Sequence, residues 1–153
     1  MPTYRCAIIG CGPRARWHAD AYRLITRGEL VACCDLNAER RARFADDYGI
    51  VGYADLAEML HKEKPDLVHV VTSPLLRVEL LTAVSGLGAP ACLVEKPIAY
   101  EVRDWKQLVA LEKRSHTKFG VNTQFRCHPN LTRCRQAIDS GKLGELLFLD
   151  CSA

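Results

Sequence analysis

The sequence predicts an α/β protein built on a doubly wound parallel sheet. Short apolar runs alternate along the chain with longer amphipathic segments. The runs are apolar at successive positions, which is typical of strands that are buried on both faces of a sheet. Because parallel neighbours need a crossover connection, alternating strands and helices indicate parallel pairing.

The predicted strands cover residues 4–9, 30–34, 67–71, 91–94 and 119–121, with a weak short strand at 50–53. The predicted helices cover residues 14–26, 38–48, 55–62, 75–86, 101–115 and 130–140. Local turn chemistry supports several of these boundaries. Asn37 and Asp55 are suitable N-caps, and Gly49 is placed to end the second helix. Pro65 separates the third helix from the next strand, because proline cannot continue a helix.

The composition fits one soluble globular domain with a sizeable core. The chain has 153 residues, of which 48% are hydrophobic and 25% are charged. Its net charge of +3 gives no electrostatic footprint for nucleic acid or an anionic membrane. No apolar run approaches the roughly 20 residues of a membrane span, and the N-terminus does not resemble a signal peptide. We therefore expect a cytosolic protein without nucleic-acid or membrane partners.

The eight cysteines are scattered, and most of them lie inside apolar runs. No C-x-x-C pair occurs, which removes the zinc-ribbon and thioredoxin interpretations. Cys127, His128 and Cys134 are close in sequence, but a metal site would need a fourth ligand and better spacing. Buried thiols in a reducing compartment are the simpler interpretation, and no metal is expected.

A glycine-rich loop follows the first predicted strand, with Gly10, Gly12, Pro13, Arg14 and Ala15 in a G-x-G-x-x-A pattern. The first glycine suits a tight turn, the second allows a pyrophosphate to touch the backbone, and Ala15 lets the helix pack closely on the strand. The N–H groups at the helix start would then hold the phosphates. Pro13 suits the first helical turn, where its missing N–H costs nothing.

An acidic residue, Asp35, stands at the end of the second predicted strand, about 20 residues after Ala15. In this position it would accept hydrogen bonds from the adenosine ribose and repel a 2′-phosphate, which favours NAD over NADP. Arg40 and Arg41 could accept a 2′-phosphate, although a solvated helix face is their simpler interpretation. The alternative is that the glycines only make a turn and Asp35 only caps a loop. Together the loop and the acid predict a Rossmann fold that binds a dinucleotide.

Two further groups lie at carboxyl ends of predicted strands, where ligands of open α/β sheets bind. Glu95, Lys96 and Pro97 follow the fifth strand, and Thr72 and Ser73 follow the fourth. A lysine beside a cofactor can take part in proton transfer, and the hydroxyls would reach the same crevice.

With these residues the chain resembles the glucose–fructose oxidoreductase / inositol dehydrogenase (Gfo/Idh/MocA) family. The resemblance rests on the glycine loop, Asp35, the Thr-Ser-Pro loop and above all Glu-Lys-Pro at 95–97, and extends through 124–129 and 138–145. Family members are NAD(P)-dependent oxidoreductases that act mostly on sugars, cyclitols and related polyols.

The resemblance implies a role for each residue of the Glu-Lys-Pro element. Glu95 would contact the nicotinamide ribose, and Lys96 would be the catalytic residue beside the substrate hydroxyl. The Lys96–Pro97 bond is expected in the cis form, which only a proline tolerates readily.

The resemblance also implies roles beyond the sixth strand. Gln124 would join the cofactor-binding set, while Arg126 and His128 would line the substrate side of the cleft. A surface-loop position is the alternative for His128. His69 alternates with valines in a strand and is interpreted as a core histidine, and Arg77 stands where relatives often carry a histidine.

The family continues into a second α/β domain that binds substrate, and we expect that domain to be absent here. Residues 1–122 would be the NAD(P)-binding Rossmann domain, and residues 123–153 a connecting helix followed by the first strand of the missing sheet, Glu145–Cys151. An unpaired strand of this kind predicts a homodimer formed through residues 145–151.

The leading hypothesis is therefore the nucleotide-binding half of an NAD-dependent oxidoreductase, with little turnover by itself. A non-catalytic dinucleotide-binding or assembly module is the alternative, but it gives no reason for Lys96. A methyltransferase that uses S-adenosylmethionine is a third hypothesis, against which the pyrophosphate-type loop argues.

Overall fold

The computed structural model describes residues 3–150 and contains a six-stranded sheet with the strand order β3-β2-β1-β4-β5-β6. The strands are β1 (Tyr4–Ile9), β2 (Gly28–Cys34), β3 (Val51–Tyr53), β4 (Leu67–Val70), β5 (Ala91–Glu95) and β6 (Lys118–Asn122). The helices are α1 (Pro13–Ala21), α2 (Ala38–Tyr48), α3 (Leu56–Glu63), α4 (Arg77–Gly86), α5 (Val102–Arg114) and α6 (Pro129–Asp139). Every strand pair of this sheet is parallel, which confirms the predicted doubly wound α/β fold.

Successive residues of β1 are buried on opposite faces of the sheet. Ala7 and Ile9 belong to a core cluster that includes side chains of α3, α4 and α5. Ile8 lies in a second cluster with Ala15 of α1 and Phe44 of α2. Because helices cover both faces, the strands are apolar at consecutive positions, and this burial explains the sequence pattern.

The capping signals of α2 and α3 act as the sequence predicts. The Asn37 side chain accepts a hydrogen bond from the Arg40 N–H at 2.8 Å, and Asp55 accepts one from the Glu58 N–H at 2.7 Å. Gly49 ends α2 in the left-handed conformation with φ of 64°. As a result, α2 occupies the predicted range of residues 38–48.

Helix α1 is shorter than the predicted helix over residues 14–26, because it ends at Ala21. The N–H groups of Tyr22, Arg23 and Leu24 bond to carbonyls three residues earlier, so the chain leaves the helix through tight turns. Leu24 is 87% exposed, so the apolar residue that extended the sequence pattern has no core to face. Strand β2 then begins at Gly28, where a Cβ would lie 2.9 Å from the Tyr22 ring.

The chain divides after Asn122 into two compact units. The second unit contains a short 3₁₀ helix (Gln124–Cys127) and then α6. The strand predicted over residues 145–151 is wrong for its described part, since residues 145–150 form no strand. A strand needs a neighbour to pair its backbone, and no described segment offers one here. Cys151 lies outside the described residues.

None of the helices formed by residues 3–150 is both long and apolar enough to cross a membrane.

The homodimer stays a prediction, and residues 146–149 are the exposed apolar segment through which two copies would pair. Leu147 and Phe148 are 86% and 82% exposed, and pairing with a second copy would bury them. We expect light scattering to show a dimer for the wild type and a monomer for a Leu147→Asp/Phe148→Asp variant. Leu24→Asp, which charges an equally exposed leucine of the first unit, should leave the dimer intact. A wild-type monomer at high concentration would refute pairing through this segment.

Candidate functional site

The parallel register brings the predicted cofactor residues of the first unit to one edge of the sheet. Ile9 pairs with both Cys34 and Val70, and β5 continues the same edge, with Val94 beside Val70. The loops that follow these strands therefore start side by side. The strand order reverses between β1 and β4, which is where open α/β sheets form their ligand crevice.

Gly10 and Gly12 are glycines for different physical reasons. Gly10 has φ of +92°, and a Cβ there would lie 2.7 Å from the carbonyl oxygen of Val71, so the protein itself requires glycine. Gly12 precedes α1 with φ of −75°, and its Cβ would meet no described atom within 4 Å. The fold thus leaves open space beside Gly12, at the N-terminus of α1.

The rest of the loop separates into buried and exposed positions. Ala15 is fully buried against β1, which accounts for the small residue that the pattern requires. Pro13 is exposed in the first turn of α1, and Arg14 stacks on Trp17 with its guanidinium carbon 4.3 Å from the ring centre. The exposed half of the loop therefore presents a cation beside the open helix start.

Asp35 is 8% exposed, and four hydrogen bonds hold its carboxylate. The N–H groups of Cys11 and Asn37 donate at 2.8 and 2.9 Å, and the Arg40 guanidinium donates two bonds at 2.9 and 2.8 Å. Burial alone would raise the pKa of Asp35, but the Arg40 and backbone hydrogen bonds outweigh it and lower the pKa. Asp35 is therefore anionic at neutral pH and links the glycine loop to α2.

The interpretation of Arg40 and Arg41 as only a solvated helix face is wrong, because both side chains donate hydrogen bonds to Asp35. Arg40 makes the forked pair with Asp35, and Arg41 donates to the Asp35 carbonyl at 2.6 Å. The pair escapes sequence reasoning because spacing alone does not show that the first turn of α2 folds back over the end of β2.

Glu95 is the last residue of β5 and is 6% exposed. His18 of α1 lies 2.8 Å from its Oε1 through Nε2, and the side-chain amide of Asn122 also donates to this oxygen. Burial would raise the pKa of Glu95, but the hydrogen bonds from Asn122 and His18 outweigh it and lower the pKa. A buried carboxylate therefore ties α1, β5 and β6 together.

Sequence reasoning missed His18, although one signal was available. It lies on the side of α1 that carries the buried Ala15 and Ala19. Behind it, His69 contacts both His18 and Tyr22, which confirms the interpretation of His69 as a satisfied core histidine. Burial, reinforced by His18, lowers the pKa of His69 to about 4.

Lys96 and Pro97 follow Glu95 at the sheet edge, where both are exposed. The Lys96–Pro97 peptide bond is cis, as the resemblance implies.

The Thr72–Ser73 loop is held in place by Arg77, which the sequence left without a role. Arg77 is 1% exposed and donates to the carbonyls of Val70 and Thr72 at 2.9 and 3.2 Å. Burial lowers the pKa of this guanidinium. Ser73 caps the following 3₁₀ helix by accepting the Leu75 N–H at 3.4 Å. The two predicted hydroxyl residues therefore stand on a loop that a buried cation supports.

The remaining predicted residues belong to the second unit, where all of them are exposed. Gln124 and Arg126 lie in its 3₁₀ helix, and His128 caps α6 by accepting the Asn130 N–H at 3.3 Å. This capping role gives His128 a local structural explanation. Their roles beside the cofactor and substrate stay predictions.

Cys127 and Cys134 are exposed free thiols of the second unit. Within residues 3–150 no group of three or more His, Cys, Asp or Glu side chains is placed to hold a metal ion.

Comparison with known proteins places this architecture among oxidoreductases. The D-apiose dehydrogenase of Paraburkholderia graminis is 32% identical over 145 residues, which cover 94% of this chain and 38% of that relative. The inositol 2-dehydrogenase 3 of Saccharopolyspora erythraea is 28% identical over 152 residues, which cover 97% of this chain and 44% of that relative. The chain thus spans less than half the length of these relatives.

Solved structures give the same result. The WlbA dehydrogenase of Bordetella pertussis, in complex with NADH and UDP-GlcNAcA, has a TM-score of 0.83 at 26% identity and covers 93% of this chain and 43% of its own. An oxidoreductase of Desulfitobacterium hafniense, described as NADPH-dependent, has a TM-score of 0.90 at 25% identity and covers 95% of this chain and 42% of its own.

The Gfo/Idh/MocA family profile, described as an oxidoreductase family with an NAD-binding Rossmann fold, matches residues 4–123. Since this match runs through the whole sheet and the loops at its carboxyl edge, the chain belongs to the Gfo/Idh/MocA oxidoreductase family.

Proposed function

We propose that this chain is the nucleotide-binding part of an NAD-dependent oxidoreductase that transfers hydride between nicotinamide and a sugar, cyclitol or similar polyol. The observation that carries the proposal is the common edge shared by the open helix start at Gly12, the anionic Asp35 and the Glu95–Lys96 pair. The D-apiose and inositol dehydrogenases among the relatives support this substrate class.

The residues present fit a dinucleotide. The space beside Gly12 lets a pyrophosphate approach the N–H groups at the start of α1, where the helix dipole favours an anion. Asp35 would accept the hydroxyls of the adenosine ribose, and Glu95 those of the nicotinamide ribose. When bound, the nicotinamide supplies the hydride acceptor. The amine of Lys96 would exchange the proton of the substrate hydroxyl at the same edge.

The proposed preference for NAD rests on the negative charge of Asp35 and on the hydrogen bonds that its carboxylate already accepts. Its carboxylate would repel a 2′-phosphate, whereas ribose hydroxyls could replace Arg40 as its hydrogen-bond donors. Arg40, once released, would be a cation beside the same ribose. We therefore propose that NAD binds more tightly than NADP, and that Arg40 is the source of any residual NADP binding.

We also propose functional roles for three residues of the second unit. Gln124 would contact the cofactor, and Arg126 and His128 would contact the substrate. The buried free thiols of the first unit favour a reducing, cytoplasmic location.

Calorimetry of NAD and NADP binding tests the role of Asp35. Asp35→Ala should weaken NAD binding by about tenfold or more, because it removes an acceptor of charge-assisted hydrogen bonds. Arg40→Ala should weaken NADP binding but leave NAD binding equal or tighter, since it frees the carboxylate. Arg43→Ala removes the same charge from the exposed surface of α2 and is the matched control. Wild-type binding of NADP in preference to NAD would contradict this assignment.

The two loop glycines offer a matched pair of substitutions. Gly10→Ala forces a Cβ against Val71 at positive φ and should lower the free energy of unfolding by about 1–3 kcal/mol. Gly12→Ala should change stability by less than about 1 kcal/mol, yet weaken NAD binding by obstructing the pyrophosphate. Chemical denaturation and calorimetry measure the two effects separately. Wild-type NAD affinity in Gly12→Ala would exclude phosphate contact at this position.

We expect little turnover by residues 1–153 alone, because orientation of the substrate contributes several kcal/mol to rate and this chain spans less than half the length of its dehydrogenase relatives. With NAD and inositol or D-apiose, we expect NADH formation far below about 1 per second. Absorbance at the NADH band measures the rate. A rate of that order would show that residues 1–153 suffice for catalysis.

A further inference from the structure

A line of polar side chains runs beneath α1 to the candidate site, entirely within the first unit. Tyr22 Oη lies 2.6 Å from His69 Nε2, His69 Nδ1 lies 3.1 Å from His18 Nδ1, and His18 Nε2 lies 2.8 Å from Glu95. The side chains of His18 and Glu95 are each 8% exposed, and His69 is 5% exposed. The functional assignment above uses Glu95 but gives no functional role to His18, His69 and Tyr22.

The acceptor at one end fixes the direction of every hydrogen bond in this line. The lowered pKa of Glu95 keeps it ionised, so it only accepts, and His18 must donate through Nε2. A neutral His18 then accepts at Nδ1 from the Nδ1–H of His69. This tautomer leaves His69 Nε2 as an acceptor for the Tyr22 hydroxyl.

Adding one proton to His18 reverses the direction of the hydrogen bonds from His18 to His69 and from His69 to Tyr22, and neither bond is lost. With Nδ1 of His18 protonated, that nitrogen donates to His69, and His69 must donate from Nε2 to Tyr22. His69 does not hold the added proton, because burial, reinforced by His18, lowers the pKa of His69 to about 4. The Tyr22 hydroxyl can then turn to Cys6, its other hydrogen-bonding neighbour. Both states are fully hydrogen-bonded, and they differ by a positive charge beside Glu95.

The groups around His18 give this charge its effect. Glu95 faces it from β5 and His69 from β4, while Tyr22, directly after α1, contacts the far nitrogen of His69. Asn122 of β6 donates to the same carboxylate, and Arg14 acts on Glu95 through its charge. Tyr22 and Cys6 also line a cavity of about 530 Å³ at the amino edge of the sheet.

We propose that His18 is a positioning residue for Glu95, and that protonation of His18 strengthens binding of the nicotinamide nucleotide. The bond between His18 and Glu95 ties the helix that begins beside Gly12 to the strand end that carries Lys96. When His18 is charged, it adds a positive charge in direct contact with the Glu95 carboxylate, at the edge where the anionic nucleotide would bind. This inference rests on the proposed function, since it concerns the same site.

The test is the dissociation constant of NADH at pH 6 and pH 8, measured by fluorescence on the full chain. The charge proposed for His18 at the lower pH should make the wild type bind NADH about threefold to tenfold more tightly at pH 6. His18→Gln keeps a donor for Glu95 but cannot be charged, so its affinity should not change with pH. His61→Gln alters an exposed histidine of α3 and should retain the wild-type dependence.

The outcomes separate the two proposals. Wild-type binding that is equal at both pH values, or an unchanged pH dependence in His18→Gln, overturns the inference and leaves the proposed function standing. Failure to bind NADH at any pH overturns both.

NMR of the wild type keeps the inference testable if His18→Gln does not fold. Imidazole nitrogen signals should show His69 protonated at Nδ1 at pH 8 and at Nε2 at pH 6. If His69 keeps the same tautomer at both pH values, the proposed reversal of these hydrogen bonds is wrong.

Discussion

The candidate site depends on the close approach of Gly10 to the carbonyl oxygen of Val71. A Cβ at Gly10 would come within 2.7 Å of that oxygen, so only glycine lets the loops after β1 and β4 leave the sheet side by side. This is the place where the strand order reverses, and the crevice of an open α/β sheet forms there. The open space at Gly12 and the contact from the Cys11 N–H to Asp35 both follow from the path of this loop.

The parts of the fold that rest on local chemistry could be predicted from the sequence. Helix α2 occupies its predicted range because Asn37 and Gly49 cap it within the same segment. Strand β1 was predictable because its run of apolar residues reflects burial on both faces. The wrong strand at 145–150 has the opposite cause, since an apolar segment becomes a strand only when another strand pairs with it.

The candidate site was predictable in its positions but not in its contacts. The loop, Asp35 and Glu95 follow strand ends, so their common edge follows from parallel pairing. Two contacts join separate elements, that of Arg40 with Asp35 and that of His18 with Glu95. Spacing in the sequence does not reveal either of them. In both cases a buried carboxylate obtains its partner from a neighbouring helix, because an unpaired charge would be costly to bury.

The most direct test of the account is to map NAD onto the chain by NMR. We predict that NAD shifts the backbone amide signals of Gly12 to Ala15 and of the residues next to Asp35 and Glu95. Amides at the amino edge of the sheet, such as Gly28, should be unaffected. Shifts confined to other parts of the chain, or none at saturating NAD, would contradict the claim that the dinucleotide lies along the carboxyl edge.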